Sequence, residues 1–212
     1  MDKVRLIAAP LSLYCCRVEM ALRFKAIEYE YIHEDVADKS PMLLELNPVH
    51  KKIPVLLHNG VPINESLLIL EYLDETWKEN PLLPKDPCER AQARFWANYA
   101  DEKGEDKEKA IATAVESLAF IEELIKGKKF FGGESIGYMD LALGWIPLWT
   151  SVMEEVGDMK ILDEETFPFL HEWAQSFIQV PLVKSSMPPR EEFFNYVRST
   201  AKYLRSLAAK KL

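Results

Sequence analysis

The sequence predicts a two-part molecule, an α/β domain built on a mixed four-stranded sheet followed by an all-helical domain. Three observations carry that expectation. Up to about residue 76, short runs of branched and aromatic apolar residues alternate with one-sided helical patterns. From Asn80 to Pro87 the run Asn-Pro-Leu-Leu-Pro-Lys-Asp-Pro places three prolines in eight residues, which is linker chemistry. Beyond it, patterned stretches repeat at three and four residues, as helices buried on one face do. The expected units are therefore residues 1–78, a linker over 79–87, and a helical domain over 88–212.

Val4 to Ala8 is an apolar run closed by Pro10 and fits a buried strand. After a loop containing Ser12, Val18, Ala21, Leu22 and the stem of Lys25 recur at helical spacing, so a helix is expected just after Ser12 and Tyr14. Tyr29 to Ile32 alternates like a second strand, and strand, helix, strand is a parallel unit whose crossover the helix supplies. Asp35 to Asn47 reads as a polar loop and a helical turn, with Pro41 suited to the first helical position. Next, Ile53 to Leu57 and Val61 to Ile63 flank Asn59-Gly60, the strongest two-residue hairpin signal. Glu65-Ser66 then stands directly before Leu67 to Leu73, a helix packed on the hairpin. Pro54 gives no ladder hydrogen bond. It either opens an edge strand in trans or follows a cis bond that presents the Ile53 main chain to an extended peptide.

In the second half, Ala91, Phe95, Trp96 and Tyr99 mark one helix, and Ile111, Ala114, Val115, Leu118, Ile121 and Ile125 another. Gly127 and Gly132-Gly133 interrupt the pattern. Ser135 is expected to cap the next helix, while Asp140, five positions on, is expected to be a buried carboxylate reaching back to loop amides. Leu141 to Val152, with Trp145 and Trp149, should form the central buried helix. A helix through Phe169, Leu170, Trp173 and Phe177 stops near Pro181, and the last runs from Arg190 through Phe193, Val197 and Leu204.

Composition narrows the chemistry. Hydrophobic residues at 48% and charged ones at 28% are a globular balance, and a net charge of −8 disfavours nucleic acid or an anionic membrane as partner. Three cysteines, two of them adjacent, point to reduced thiols in the cytosol. No secretory signal and no membrane span is expected, and the four histidines lack ligand spacing, so no metal is expected either.

The loop Ser12-Leu13-Tyr14-Cys15, between the first strand and first helix, is where amides converge on a negative charge. A Ser12 hydroxyl there can donate to a bound thiolate; it can equally do no more than cap the helix. Without a glycine-flanked elbow or a nearby histidine it does not read as a covalent nucleophile. Cys15, near a helix start, is the rival nucleophile, and burial as a small hydrophobe is the plainer role for it and Cys16. Lys39, Lys51 and Lys52 either read an acidic ligand or are solvated loop charges.

Taken together, Ser12 between strand and helix, Asn47-Pro48-Val49-His50-Lys51-Lys52-Ile53-Pro54-Val55-Leu56, Asn64-Glu65-Ser66, the proline linker, Ala93-Arg94-Phe95-Trp96-Ala97 and Ser135-Ile136-Gly137-Tyr138-Met139-Asp140 resemble plant glutathione S-transferases of the tau class. The resemblance spans the chain. It implies a thioredoxin-like amino-terminal domain binding glutathione as co-substrate, a helical domain forming the acceptor pocket, and a cytoplasmic homodimer with no metal. It further implies that Ser12 holds the glutathione thiolate, that Lys39 and Lys52 meet the glycine carboxylate, that Ile53 before cis Pro54 pairs with the tripeptide main chain, and that Glu65 and Ser66 grip the γ-glutamyl end. The chain departs locally: Ser-Leu-Tyr-Cys stands where the family usually has Ser-Pro-Phe-Ser, and Pro10 where tryptophan is common.

The expected activity is therefore conjugation of glutathione to hydrophobic electrophiles, a detoxification chemistry, with Tyr99, Lys103 and Trp149 as the acceptor pocket. Two alternatives stand beside it. One is a non-catalytic ligandin carrying hydrophobic molecules; the other is thiol transfer through Cys15, which requires that residue to be exposed.

Overall fold

The computed structural model describes residues 3–101, 118–157 and 160–209. Its sheet has four strands, β1 (Val4–Ala8), β2 (Glu30–His33), β3 (Val55–His58) and β4 (Val61–Asn64), in the order β2-β1-β3-β4. β1 and β2 are parallel, with Leu6 beside Tyr31; β3 is antiparallel to both neighbours, with Leu56 between Leu6 and Ile63. The helices are α1 (Leu13–Phe24), which makes the β1–β2 crossover, α2 (Pro41–Leu46), and α3 (Ser66–Thr76), which packs beside α1. This is the thioredoxin-like arrangement expected, with Pro41 as the first residue of α2.

Among the boundaries that differ from the reading of the sequence, two have a plain local reason. α1 opens at Leu13, ahead of Tyr14, because Ser12 takes the cap position with an extended backbone. β3 opens at Val55 rather than Ile53, because Pro54 has no N–H for the ladder; the Ile53–Pro54 bond is cis. Asn59 and Gly60 both hold positive φ, 52° and 86°, as a tight I′ hairpin turn requires.

The helical part comprises α4 (Pro87–Asp101), α5 (118–125), α6 (Tyr138–Leu143), α7 (Trp145–Gly157), α8 (Pro168–Gln179), α9 (Pro181–Ser186) and α10 (Arg190–Ala209). Leu118, Ile121 and Ile125 are buried on α5 as their spacing predicts, while Ile111, Ala114 and Val115 lie outside the described residues. The single helix expected over Leu141 to Val152 is two. Pro147 has no N–H for the Leu143 carbonyl, so the ladder breaks at Gly144. Glycine is required at that corner, since a Cβ would stand 2.8 Å from the Phe177 ring of α8. Among the described residues no helix is long and apolar enough to cross a membrane.

The proline-rich segment is docked. Leu82 and Leu83 are buried, and their amides donate to Asp74 at 2.7 and 3.0 Å. The buried Lys25 ammonium bonds Asp74 at 2.8 Å and the carbonyls of Glu79 and Asn80 at 2.9 and 3.1 Å. From the other side, Tyr138 N–H donates to the Leu82 carbonyl at 2.8 Å.

Asp140 is fully buried and reaches back as expected, accepting from the amides of Phe131, Gly132 and Gly137 and from the Trp173 indole, all at 2.8–3.0 Å. The cap of α6 is not Ser135. Gly137 holds that position, which places Asp140 third in the helix and lets its carboxylate turn back on the Gly137 N–H. Burial raises the Asp140 pKa and the four donors oppose the rise. Replacing Asp140 by alanine strands all four donors, so Asp140→Ala should lose at least about 3 kcal/mol of stability in urea titrations.

Candidate functional site

Two helix starts open onto one trench between the domains. At the first, β1 ends and the chain turns tightly, Ser12 N–H donating to the Ala9 carbonyl at 3.1 Å and the Ser12 carbonyl accepting from Cys16 N–H at 2.9 Å. The Ser12 hydroxyl accepts from Cys15 N–H at 3.4 Å. That cap uses an oxygen lone pair; the hydroxyl also meets the Cys15 thiol, and its hydrogen can turn from there to an incoming anion. Capping and donation, alternatives in the sequence, are thus compatible in one side chain.

Around Ser12 lies a cavity of about 720 Å³, walled on the sheet side by Tyr14, Lys39, Lys52 and Ile53 and on the helical side by Trp145 and Trp149. Tyr14, Lys52, Ile53 and Asp101 also border a second cavity of about 640 Å³, which holds Pro54, Glu65 and Ser66 at the start of α3. The trench therefore has two compartments with a shared partition. Ser12 and Ser66, each at a helix start where amides lack intrahelical partners, face one compartment apiece.

A side chain not singled out in the sequence holds the two starts together. Arg17, 2% exposed on α1, donates to the Ser66 hydroxyl at 3.1 Å, to both Asp101 oxygens at 2.7 and 2.8 Å, and to the Ala142 carbonyl at 2.6 Å. The Tyr14 ring lies over its guanidinium, 5.6 Å from the ring centre. Because Ser66 accepts from Arg17, its own hydrogen is also available to an anion. The only sequence sign of this hub is a charge between Cys16 and Val18 on an otherwise apolar helix face. Asn47 is a second omission. Buried, it donates to the Lys52 carbonyl at 2.9 Å and accepts from His50 N–H at 3.2 Å, fixing the lysine loop.

Glu65, ahead of α3, is held at φ 70° and ψ 117°, a left-handed backbone that costs a glutamate on the order of 1–3 kcal/mol. Its carboxylate lies 3.8 Å from the His50 ring. Of the sequence-derived residues, Ser12, Lys39, Lys52, Ile53 and Trp149 come together in the larger compartment and Lys52, Ile53, Pro54, Glu65 and Ser66 in the smaller. Tyr99 is elsewhere, stacked with Phe95 and edge-on to Trp96 and Phe120. Lys103 lies outside the described residues.

The cysteines do not meet the requirement set for thiol transfer. Cys15 is 0% exposed, and burial pushes its thiol up to about 11 against the lowering effect of the Ser12 hydrogen bond. Cys16, also buried, is pushed up to about 12 and donates to the Ser186 carbonyl. Both thiols are buried and stay protonated at neutral pH, so neither residue is a resident nucleophile.

The family model described as the glutathione S-transferase N-terminal domain matches residues 6–81, and that of the C-terminal domain matches residues 81–181. A probable glutathione S-transferase of Glycine max is 42% identical, covering 99% of this chain and 98% of its own. Glutathione S-transferase U7 of Arabidopsis thaliana is 38% identical, covering 98% and 97%. Among solved structures, the tau-class glutathione S-transferase of mango, Mangifera indica, superposes with a TM-score of 0.84 at 43% identity over 92% of this chain and 97% of that one. Rice GST1, solved in complex with glutathione, gives 0.83 at 34% identity over 95% and 97%.

Thiol labelling checks the electrostatics. Cys88, exposed on α4, should alkylate quickly in the native protein, and Cys15 and Cys16 only on unfolding. Unfolded thiols ionise near 9.0 while these two stay protonated to about 11 and 12, so their contribution to stability is intact below pH 9 and falls as pH rises beyond it. Denaturation midpoints should drop from about pH 8 to about pH 10, less so in Cys15→Ala.

Proposed function

The chain belongs to the tau class of the glutathione S-transferase family, and we propose that it binds glutathione across the two compartments and adds its thiolate to hydrophobic electrophiles. The observation that carries this reading is the pair of serine hydroxyls at two helix starts on one trench, each with its hydrogen available to an anion. Glutathione offers three charged ends and a thiol to such a trench.

In this reading Ser12 donates to the sulfur. A hydrogen bond to a charged partner stabilises it by about 1.5–3 kcal/mol, which lowers a thiol of pKa ~8.5 by about 1–2 units and ionises much of it at neutral pH. The proton passes to solvent. Lys39 and Lys52 take the glycine carboxylate, the Ile53 main chain pairs with the cysteinyl residue, the Ser66 hydroxyl and α3 amides take the γ-glutamyl carboxylate, and Glu65 takes its ammonium. The sulfur lone pair then forms the S–C bond while the displaced electron pair leaves with the leaving group, or accepts a proton in an addition. Trp149, joined by Trp145 and Tyr196, supplies the apolar wall that holds the electrophile beside the sulfur, and this proximity carries much of the acceleration.

The physiological setting proposed is cytoplasmic detoxification by a homodimer. Support for the dimer is apolar surface on both halves: Val61 and Leu68 are 63% and 57% exposed, Phe95 and Phe120 58% and 55%.

Two measurements test these proposals. Ser12→Ala should lower kcat by about 10²-fold and raise the pKa of bound glutathione, read from thiolate absorbance, with little change in glutathione affinity. An unshifted bound-thiol pKa in the unmodified enzyme would remove Ser12 from this role. Sedimentation should give twice the 24.4 kDa chain mass, and Leu68→Glu or Phe95→Glu should give the monomer.

A further inference from the structure

Residues 35–39 form an exposed loop whose two ends are tied by one side chain. Glu34 is 2% exposed, and its N–H extends the β1–β2 ladder by donating to the Ala8 carbonyl at 2.9 Å. One carboxylate oxygen accepts from Ser40 N–H at 2.7 Å and the other from the Ser40 hydroxyl at 2.6 Å. Glu34 and Lys39 both line the larger compartment. The course of the loop, and with it the presentation of Lys39 to the trench, therefore depends on the bonds of one buried carboxylate to the N–H and hydroxyl of Ser40, whose oxygen also caps α2 by accepting from Leu43 N–H at 3.1 Å.

Pro41 follows that hydroxyl. The Ser40 backbone is extended, at φ −63° and ψ 150°, as a residue before proline prefers. Residues 35–39 on one side and Pro41 and Met42 on the other are exposed, so a partner can read the segment in its native form. We propose that Ser40 is a modification site for a proline-directed protein kinase, and that phosphate there opens the Glu34 clamp and withdraws Lys39 from glutathione.

In the transfer, the Ser40 oxygen attacks the γ-phosphorus of ATP, the new O–P bond forms as the bridging P–O bond to ADP breaks, and the hydroxyl proton goes to the kinase base. The product loses the hydroxyl half of the clamp, and only the Ser40 N–H bond to Glu34 is left to hold it. The oxygen has lost the hydrogen it donated to Glu34, and a group of about −1.5 to −2 charge stands against a buried carboxylate. The loop must swing outward, and Lys39, next in sequence, pairs with the phosphate instead of with a ligand carboxylate.

This inference rests on the glutathione reading above. The test is phosphorylation of the folded full-length enzyme by a proline-directed kinase with ATP, read by mass spectrometry, then glutathione Kd by calorimetry before modification, after it, and after phosphatase treatment. Phosphate should appear on Ser40, be absent from that position in Ser40→Ala, weaken glutathione binding about tenfold, and be reversed by the phosphatase. No phosphate on folded Ser40 under conditions that modify the denatured chain overturns the site. Phosphate there with an unchanged Kd overturns the switch, and either result leaves the glutathione reading standing. Unmodified enzyme with no affinity for glutathione overturns that reading and the switch together.

Discussion

One buried guanidinium fixes the geometry on which the trench depends. Arg17 leaves α1 one turn past Ser12 and is bonded to the start of α3, the end of α4 and the main chain of α6. A charge so far from water is tolerable only because Asp101 meets it with two short parallel bonds and two further acceptors take the remaining hydrogens of its terminal nitrogens, leaving the buried Nε–H alone without a partner. Removing Asp101 would leave an uncompensated charge, a cost of roughly 3–5 kcal/mol. The distance between the two anion-friendly helix starts is therefore a fixed property of the fold.

Onto that frame the two domains contribute different things. The α/β domain supplies polar groups whose positions are set by main chain, caps and buried side chains: Ser12 at a cap, Lys52 behind the Asn47 clamp, Ser66 behind a strained Glu65. The helical domain supplies apolar surface. A small cluster of Val152, Phe193 and Val197 packs against Leu11 and Leu13, so α7 and α10 grip the loop that carries Ser12 while Trp149 of the same group faces the cavity. The apolar wall and the Ser12 loop thus share one packing unit. A change on α10 can be felt at Ser12 without touching it.

Local chemistry was legible in the sequence wherever a single residue type dictates its backbone. Asn59-Gly60 announces its turn, Pro41 its helix start, and Asp140 its loop of amides. Residues whose role depends on a remote partner were not. Arg17 reads as a stray charge until Asp101, far along the chain, is brought beside it. Tyr99 stands among the aromatics of a helix that a pocket could use, yet its ring packs with Phe95, Trp96 and Phe120. Pro147, hidden in an apolar run, breaks a helix that hydrophobicity alone would continue. Ser135 is a good cap by type, but Asp140 is better placed to satisfy the Gly137 amide. Ser12 was legible as a residue and ambiguous as a role; the structure shows the cap and leaves room for the donor beside it.

The proline-rich segment between the halves has the composition of a hinge and the bonding of a weld. Leu82 and Leu83 are buried, Asp74 and Lys25 hold it from one side, and Tyr138 from the other. Opening and closing of the two halves is thereby removed as a means of fitting electrophiles of different shape. Diversity among descendants of such a chain has to arise by exchanging the cavity-facing side chains of α7 and α10, within the limit that the same two helices also hold the loop carrying Ser12.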